Sequence, residues 1–198
     1  MRSRAVSIIY LVATLVCNCT ANAAVIMTLE QVGPNVVATG SGTVDLTNLT
    51  FAFAGAGTEM YPAFALLTVG TPTDVPLWDF YTSVGGPAYF GTGGPAVAST
   101  GSGDRLAIYG LGAIAVPQGY ISGTPLYGTA SYDNTTLAAL GVRTGIYKYS
   151  GGSGAHADSL TLYIGVPAPI PEPASALLLA LGTGGLAVIT GVIRIQAS

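Results

Sequence analysis

Residues 25–39 read VIMTLEQVGPNVVAT, two runs rich in Val, Ile and Thr on either side of Gly33-Pro34-Asn35. Glycine and asparagine tolerate the positive φ of tight reversals, and proline cannot donate to a sheet ladder. The stretch therefore predicts two short strands, 25–32 and 36–39, folded back on each other. The same grammar recurs at 63–69, 77–82, 105–109, 126–132, 145–149 and 159–164, where β-branched and aromatic residues are bounded by Gly, Pro, Asn or Asp. Val44, Leu46, Leu49, Phe51 and Phe53 alternate with polar or small neighbours on either side of a slip at Asn48, which reads as a bulge. No long 3.6-residue periodicity occurs in this region. The expected fold is all-β, an antiparallel β-sandwich or jelly roll over residues 24–165, a length that sustains a real core.

Two stretches depart from the pattern. In residues 134–141, NTTLAALG, Asn134 and Gly141 suit the two caps of a single helical turn connecting strands. The glycine-rich block 84–103 reads as long loops, and no helix follows it, so it is not a phosphate-binding loop.

Only 8% of the chain is charged, against about 25% in average soluble proteins. Its hydrophobicity argues against disorder, so Thr, Ser, Asn, Gly and Tyr must carry a neutral polar surface. At the N-terminus, Arg2 and Arg4 precede an apolar run at 8–16, and Ala21-Asn22-Ala23 forms a small-x-small cleavage site before Ala24. This is the pattern of a secretory signal peptide, 1–23. Its removal takes away Cys17 and Cys19, the only cysteines, which excludes disulfides, a cysteine nucleophile and thiolate metal sites from the mature chain. Four basic residues (Arg105, Arg143, Lys148 and Arg194) then stand against nine acidic ones, a net charge of −5. Nucleic-acid binding needs the opposite sign.

The C-terminal 28 residues, 171–198, read PEPASALLLALGTGGLAVITGVIRIQAS. Pro171-Glu172-Pro173 is stiff and stops any helix arriving from upstream through the short linker 166–170. Residues 174–193 carry no charge and are apolar all round, and about twenty such residues cross the hydrocarbon core of a bilayer as a helix. Arg194 follows as a basic membrane stop.

Pro171, Glu172, Pro173 and the span after them resemble the PEP-CTERM sorting signal of Gram-negative bacteria and some cyanobacteria. Where that family often carries an arginine cluster, this chain has Arg194 alone. The resemblance implies a single transient inner-membrane helix and processing by an exosortase, a membrane cysteine transpeptidase. Residues 144–165, TGIYKYSGGSGAHADSLTLYIG, are similar to the last strand, glycine-rich turn and strand of many exported proteins with this tail, and Ala157, Asp158 and Ser159 match directly. Residues 117–123 and 126–140 also look like this group. The resemblance covers about half the chain and brings no established activity with it. It implies a cell-surface or extracellular protein associated with exopolysaccharide or biofilm.

Chemistry is sparse in the remaining sequence. His156 is the only histidine, and no Gly-x-Ser-x-Gly elbow accompanies it. Asp158, two residues on, is a tempting partner, but a glycine-rich turn favours an exposed polar role for His156. The acids Glu30, Asp45, Glu59, Asp74, Asp79, Asp104, Asp133 and Asp158 mostly lie beside turns, where aspartate commonly satisfies backbone donors. No Asp-x-Asp-x-Asp loop fixes a calcium site. The expectation is a non-enzymatic protein without cofactor or metal. A carbohydrate-binding module, with Trp78 as a possible glycan contact, is the alternative, and a secreted glycoside hydrolase is a further one. The favoured place for Trp78, Phe80 and several of the ten tyrosines is the sandwich core, with polar tips at its edge.

Overall fold

The structure, a computed structural model, describes residues 24–55, 59–72 and 78–169. Fourteen strands run in chain order: β1 Ala24–Val32, β2 Asn35–Gly42, β3 Thr50–Gly55, β4 Glu59–Met60, β5 Leu67–Val69, β6 Trp78–Thr82, β7 Val84–Gly85, β8 Ala96–Val97, β9 Thr100–Gly103, β10 Leu106–Tyr109, β11 Ala113–Pro117, β12 Leu126–Tyr132, β13 Gly145–Gly151 and β14 Asp158–Ile164. Among the described residues the only helices are two short 3-10 turns, Pro62–Phe64 and Gly154–His156. The fold is all-β.

Seven strands form the larger sheet, in the order β7-β13-β14-β1-β2-β12-β9. Five form the second, β3-β6-β11-β10-β5, and β4 pairs with β8. The larger sheet is mixed rather than antiparallel, because β1 and β14 run parallel from Ala24 opposite Ser159 to Leu29 opposite Ile164. First and last strands thus lie side by side in the middle of the sheet, a pairing that no local sequence signal announces.

Period-two alternation accounts for the layering. Val25, Met27 and Leu29 of β1, Val36 and Ala38 of β2, and Leu160, Leu162 and Ile164 of β14 are buried. They join Leu67 and Val69 of β5, Leu106 and Ile108 of β10, and Ile114 and Val116 of β11 in one apolar cluster. The two sheets therefore face each other across a shared core, as in a sandwich, and each fully buried Leu, Ile, Met or Val adds about 1.5–3 kcal/mol.

Local chemistry sets the turns. The β1–β2 hairpin is tighter than expected: Val32 pairs with Asn35, so the loop is Gly33-Pro34, with Gly33 at φ 58°. A positive φ at the first loop residue is what the primed hairpin turns require. Residues 44–53 are not one strand with a slip at Asn48. Asp45 accepts hydrogen bonds from the Thr47 amide (2.9 Å) and hydroxyl (2.6 Å), and the Leu49 amide donates to Leu46 O (3.0 Å). This closes a turn ahead of β3.

The bulge falls later, between Phe51 and Phe53. Residues 62–64 form a 3-10 turn, not the start of a strand, because proline fixes the helical φ there. The connector 134–141 is a run of turns. Asn134 itself has φ 50°, and the cap is Thr136, whose hydroxyl accepts the Ala139 amide (3.1 Å). Within the glycine-rich block, β7, β8 and β9 are real strands, and β11 is a strand despite its alanines and terminal proline.

Candidate functional site

The outer face of the five-stranded sheet, opposite the core, holds a cleft of about 440 Å³, and the strand registers explain it. One lateral row runs Phe53, Phe80, Ala115, Ala107 and Thr68 across all five strands. The two adjacent alanines at its centre are covered by Trp78, and of the pair Ala107 lines the cleft. Phe80 and Phe53 wall one side, stacked with centroids 4.6 Å apart.

The bulge is what puts Phe53 there. Phe51 and Phe53 are two residues apart and would share a face in a regular strand. The extra residue pairs Phe51 with Tyr81 and Phe53 with Phe80, which have opposite orientations. Phe53 and Leu111, both lining the cleft, remain 56% and 71% exposed.

Trp78 shares this face with Phe80, two residues on, and is 2% exposed, packed on Ala107 and Ala115. The Arg105 guanidinium carbon is 5.6 Å from its ring centroid, and Arg105 Nε donates to Thr71 O (2.9 Å). The buried cation is thus held against the indole π-face, where desolvation strengthens the attraction. Trp78 Nε1 and Thr68 Oγ1 are buried without a hydrogen-bond partner, although both residues line the cleft. Buried polar groups are rarely left so. The expected glycan contact is therefore a buried wall residue, and the exposed aromatic surface at this cleft is that of Phe53.

A second cluster joins the turn after β2 to the turn before β14. His156 Nδ1 lies 2.8 Å from Asp45 Oδ2, and because an ionised carboxylate can only accept, Nδ1 carries the proton. Asp158 Oδ2 accepts the Asp45 amide (2.8 Å). Ser122 Oγ accepts the Leu46 amide (2.8 Å) and donates to Asp45 Oδ1 (3.2 Å).

The Thr47 hydroxyl and amide, followed by His156, hold Asp45 well below the usual carboxylate range. Burial, aided by the Asp45 charge, pushes Asp158 up. Serine and histidine both bond to Asp45 rather than to each other, so the described contacts lack the serine–histidine bond of a nucleophilic triad. The partner of His156 is Asp45, not its neighbour Asp158, and the cluster reads as a polar latch between loops distant in sequence.

The other aspartates also serve the backbone or a neighbouring hydroxyl. Asp79 accepts the Gly119 amide, Asp104 the Tyr127 amide, and Asp133 the Ser131 hydroxyl. Glu59 lines the cleft. No group of three or more His, Cys, Asp or Glu side chains placed to hold a metal ion occurs among the described residues. Ala24 is the first residue of β1. Ala21, Ala23, Asp74, Pro171, Glu172, Pro173, the span 174–193 and Arg194 lie outside the described residues. Among the described residues, no helix is long and apolar enough to cross a membrane. The chain matches no protein-family model, no curated protein and no solved structure.

Proposed function

We propose that this chain is an exported, non-enzymatic β-sandwich protein. Its N-terminal signal is cleaved before Ala24, the C-terminal helix holds it briefly in the inner membrane, and an exosortase releases it at Pro171-Glu172-Pro173 to the cell surface or the exopolysaccharide matrix. The observation that carries the reading is the charge-free span set directly behind Pro-Glu-Pro on a chain whose first residues follow the basic, apolar and small-x-small pattern of a signal peptide. The strand ladder is compatible with both cuts. Ala24 O accepts the Thr43 amide (3.3 Å), and the Gly165 amide donates to Leu29 O (2.9 Å), so trimming at either place leaves the described strands whole. A neutral surface rich in hydroxyls suits a hydrated polysaccharide matrix.

Intact-mass and N-terminal analysis of the chain, produced in a Gram-negative host with and without its exosortase, tests this. With the enzyme, the product begins at Ala24 and lacks the C-terminal span. Without it, or with Glu172→Ala, the chain keeps its tail in the membrane fraction. A chain that stays cytoplasmic, or stays full length beside an active exosortase, sinks the proposal.

A further inference from the structure

The cleft on the outer face of the five-stranded sheet has no part in export or processing, and its chemistry selects a ligand class. Ala107 and Ala113 line it beside Phe53, Phe80 and Leu66, and among the described lining residues only Glu59 is ionisable near neutral pH. An anion would lose its hydration there beside the Glu59 carboxylate, with no cation among the described lining residues to meet it. A sugar would bring many hydroxyls to a surface with few polar groups to receive them. The two buried polar atoms without partners, the Trp78 indole nitrogen and the Thr68 hydroxyl oxygen, belong to the same wall. They have already lost their water in the empty cleft, so an acceptor reaching either one gains a hydrogen bond with little further desolvation.

We propose that this cleft is a binding site for a neutral, ring-sized apolar molecule bearing a hydrogen-bond acceptor such as a ketone oxygen. The rings of such a molecule lie against Phe53 and Phe80, and its oxygen accepts a hydrogen bond from the Thr68 hydroxyl or Trp78 Nε1. The Arg105 guanidinium behind the indole holds that wall in place.

Benzophenone is a suitable probe, being neutral, apolar and two-ringed, with one carbonyl acceptor, and it inserts into neighbouring C–H bonds on irradiation. The full chain in detergent micelles is photolabelled at increasing benzophenone, and the adducts are located by peptide mass spectrometry. Saturable labelling concentrated on Leu66, Phe80 and Leu111 is expected. Ala113→Phe, which fills the cleft, should lower that labelling at least tenfold. Thr68→Val, which keeps the shape and removes the hydroxyl, should weaken benzophenone about fivefold, the worth of one neutral hydrogen bond, while protection by carbonyl-free diphenylmethane stays unchanged. Thr68→Val answers the question even if Ala113→Phe does not fold. Adducts spread evenly over the surface, labelling indifferent to both substitutions, or protection by millimolar cellobiose would each overturn the proposal, the last in favour of a sugar site.

Discussion

Replacing Asp45 by Asn tests whether the polar latch holds the loops at one end of the sheets. The Asp45 carboxylate receives the Thr47 amide at 2.9 Å, the Thr47 hydroxyl at 2.6 Å, the Ser122 hydroxyl at 3.2 Å and His156 Nδ1 at 2.8 Å. Asparagine keeps one acceptor oxygen for Thr47, but it presents an NH₂ group to His156 and loses the charge that strengthens the remaining bonds. The Asp45 side chain is 23% exposed and His156 49%, so the bond between them sits at the low end, about 0.5 kcal/mol. Lost charge assistance at Thr47 adds about 1 kcal/mol. Together these make ~1.5 kcal/mol at pH 7, or roughly 5 °C in Tm for a domain of this length.

The pH dependence sharpens the test. The folded pKa of Asp45 is depressed, so its stabilisation is complete above the unfolded value of about 3.9 and is lost as pH falls through the folded value. Wild type and Asp45→Asn should differ most near neutrality and converge in acid. Asp158, whose folded pKa is raised, has the opposite sign: its contribution is present below the unfolded pKa and is lost as pH rises through the folded one. The single tryptophan, Trp78, is a convenient fluorescence reporter of thermal unfolding from pH 2.5 to 7. A variant that melts within 1 °C of wild type at pH 7, or whose deficit is undiminished at pH 2.5, would refute the latch.

Other outcomes follow from particular atoms. Tyr149 and Tyr132 have buried hydroxyls without partners, so Tyr149→Phe should be neutral or stabilising by up to ~1 kcal/mol in urea denaturation, whereas a partnered phenol would lose about that much. Burial pushes both phenols up. An alkaline titration followed at 295 nm should leave two tyrosines un-ionised until the protein unfolds, and stability should fall as pH rises past the unfolded tyrosine value of about 10. Gly42 has φ 137°, and a Cβ there would overlap the backbone carbonyl of Ala24. Gly42→Ala should therefore cost about 3 kcal/mol or more by forcing β1 and β2 apart, and an unchanged urea midpoint would contradict the β1–β2 register.

Much of the fold is legible where composition and turn chemistry agree. Residues 25–39 predict the hairpin, and strands occur where 105–109, 126–132, 145–149 and 159–164 predict them, because Val, Ile, Thr and Tyr runs end at residues that break ladders. Strand β11, AIAVP, escapes notice because alanine and proline are poor strand signals. Its place comes from pairing with β6 and β10 on either side. The glycine-rich block hides β9 for a similar reason: it is held by β12, and its own residues, TGSG, show no strand preference.

The candidate sites were far less legible. Trp78 stands out in sequence as the sole tryptophan, but its burial depends on Ala107 and Ala115, on other strands, and on Arg105, just ahead of β10. His156 invites pairing with Asp158, two residues away, and pairs instead with Asp45 across 111 positions. The one signal that pointed toward the latch was the Asp45-x-Thr47 spacing of a side-chain-to-backbone turn.

The sequence alone determined that the chain is β-rich and nearly uncharged and where its hairpin turns, since these follow from residue type and local spacing. Only the tertiary structure decided that first and last strands run parallel in mid-sheet, that a bulge turns Phe53 outward, and that Phe53, Phe80, Leu66 and Trp78 line one cleft. Those features arise from register between strands far apart in the chain. Register is set by the sum of core packing over both sheets, a quantity that no single stretch contains.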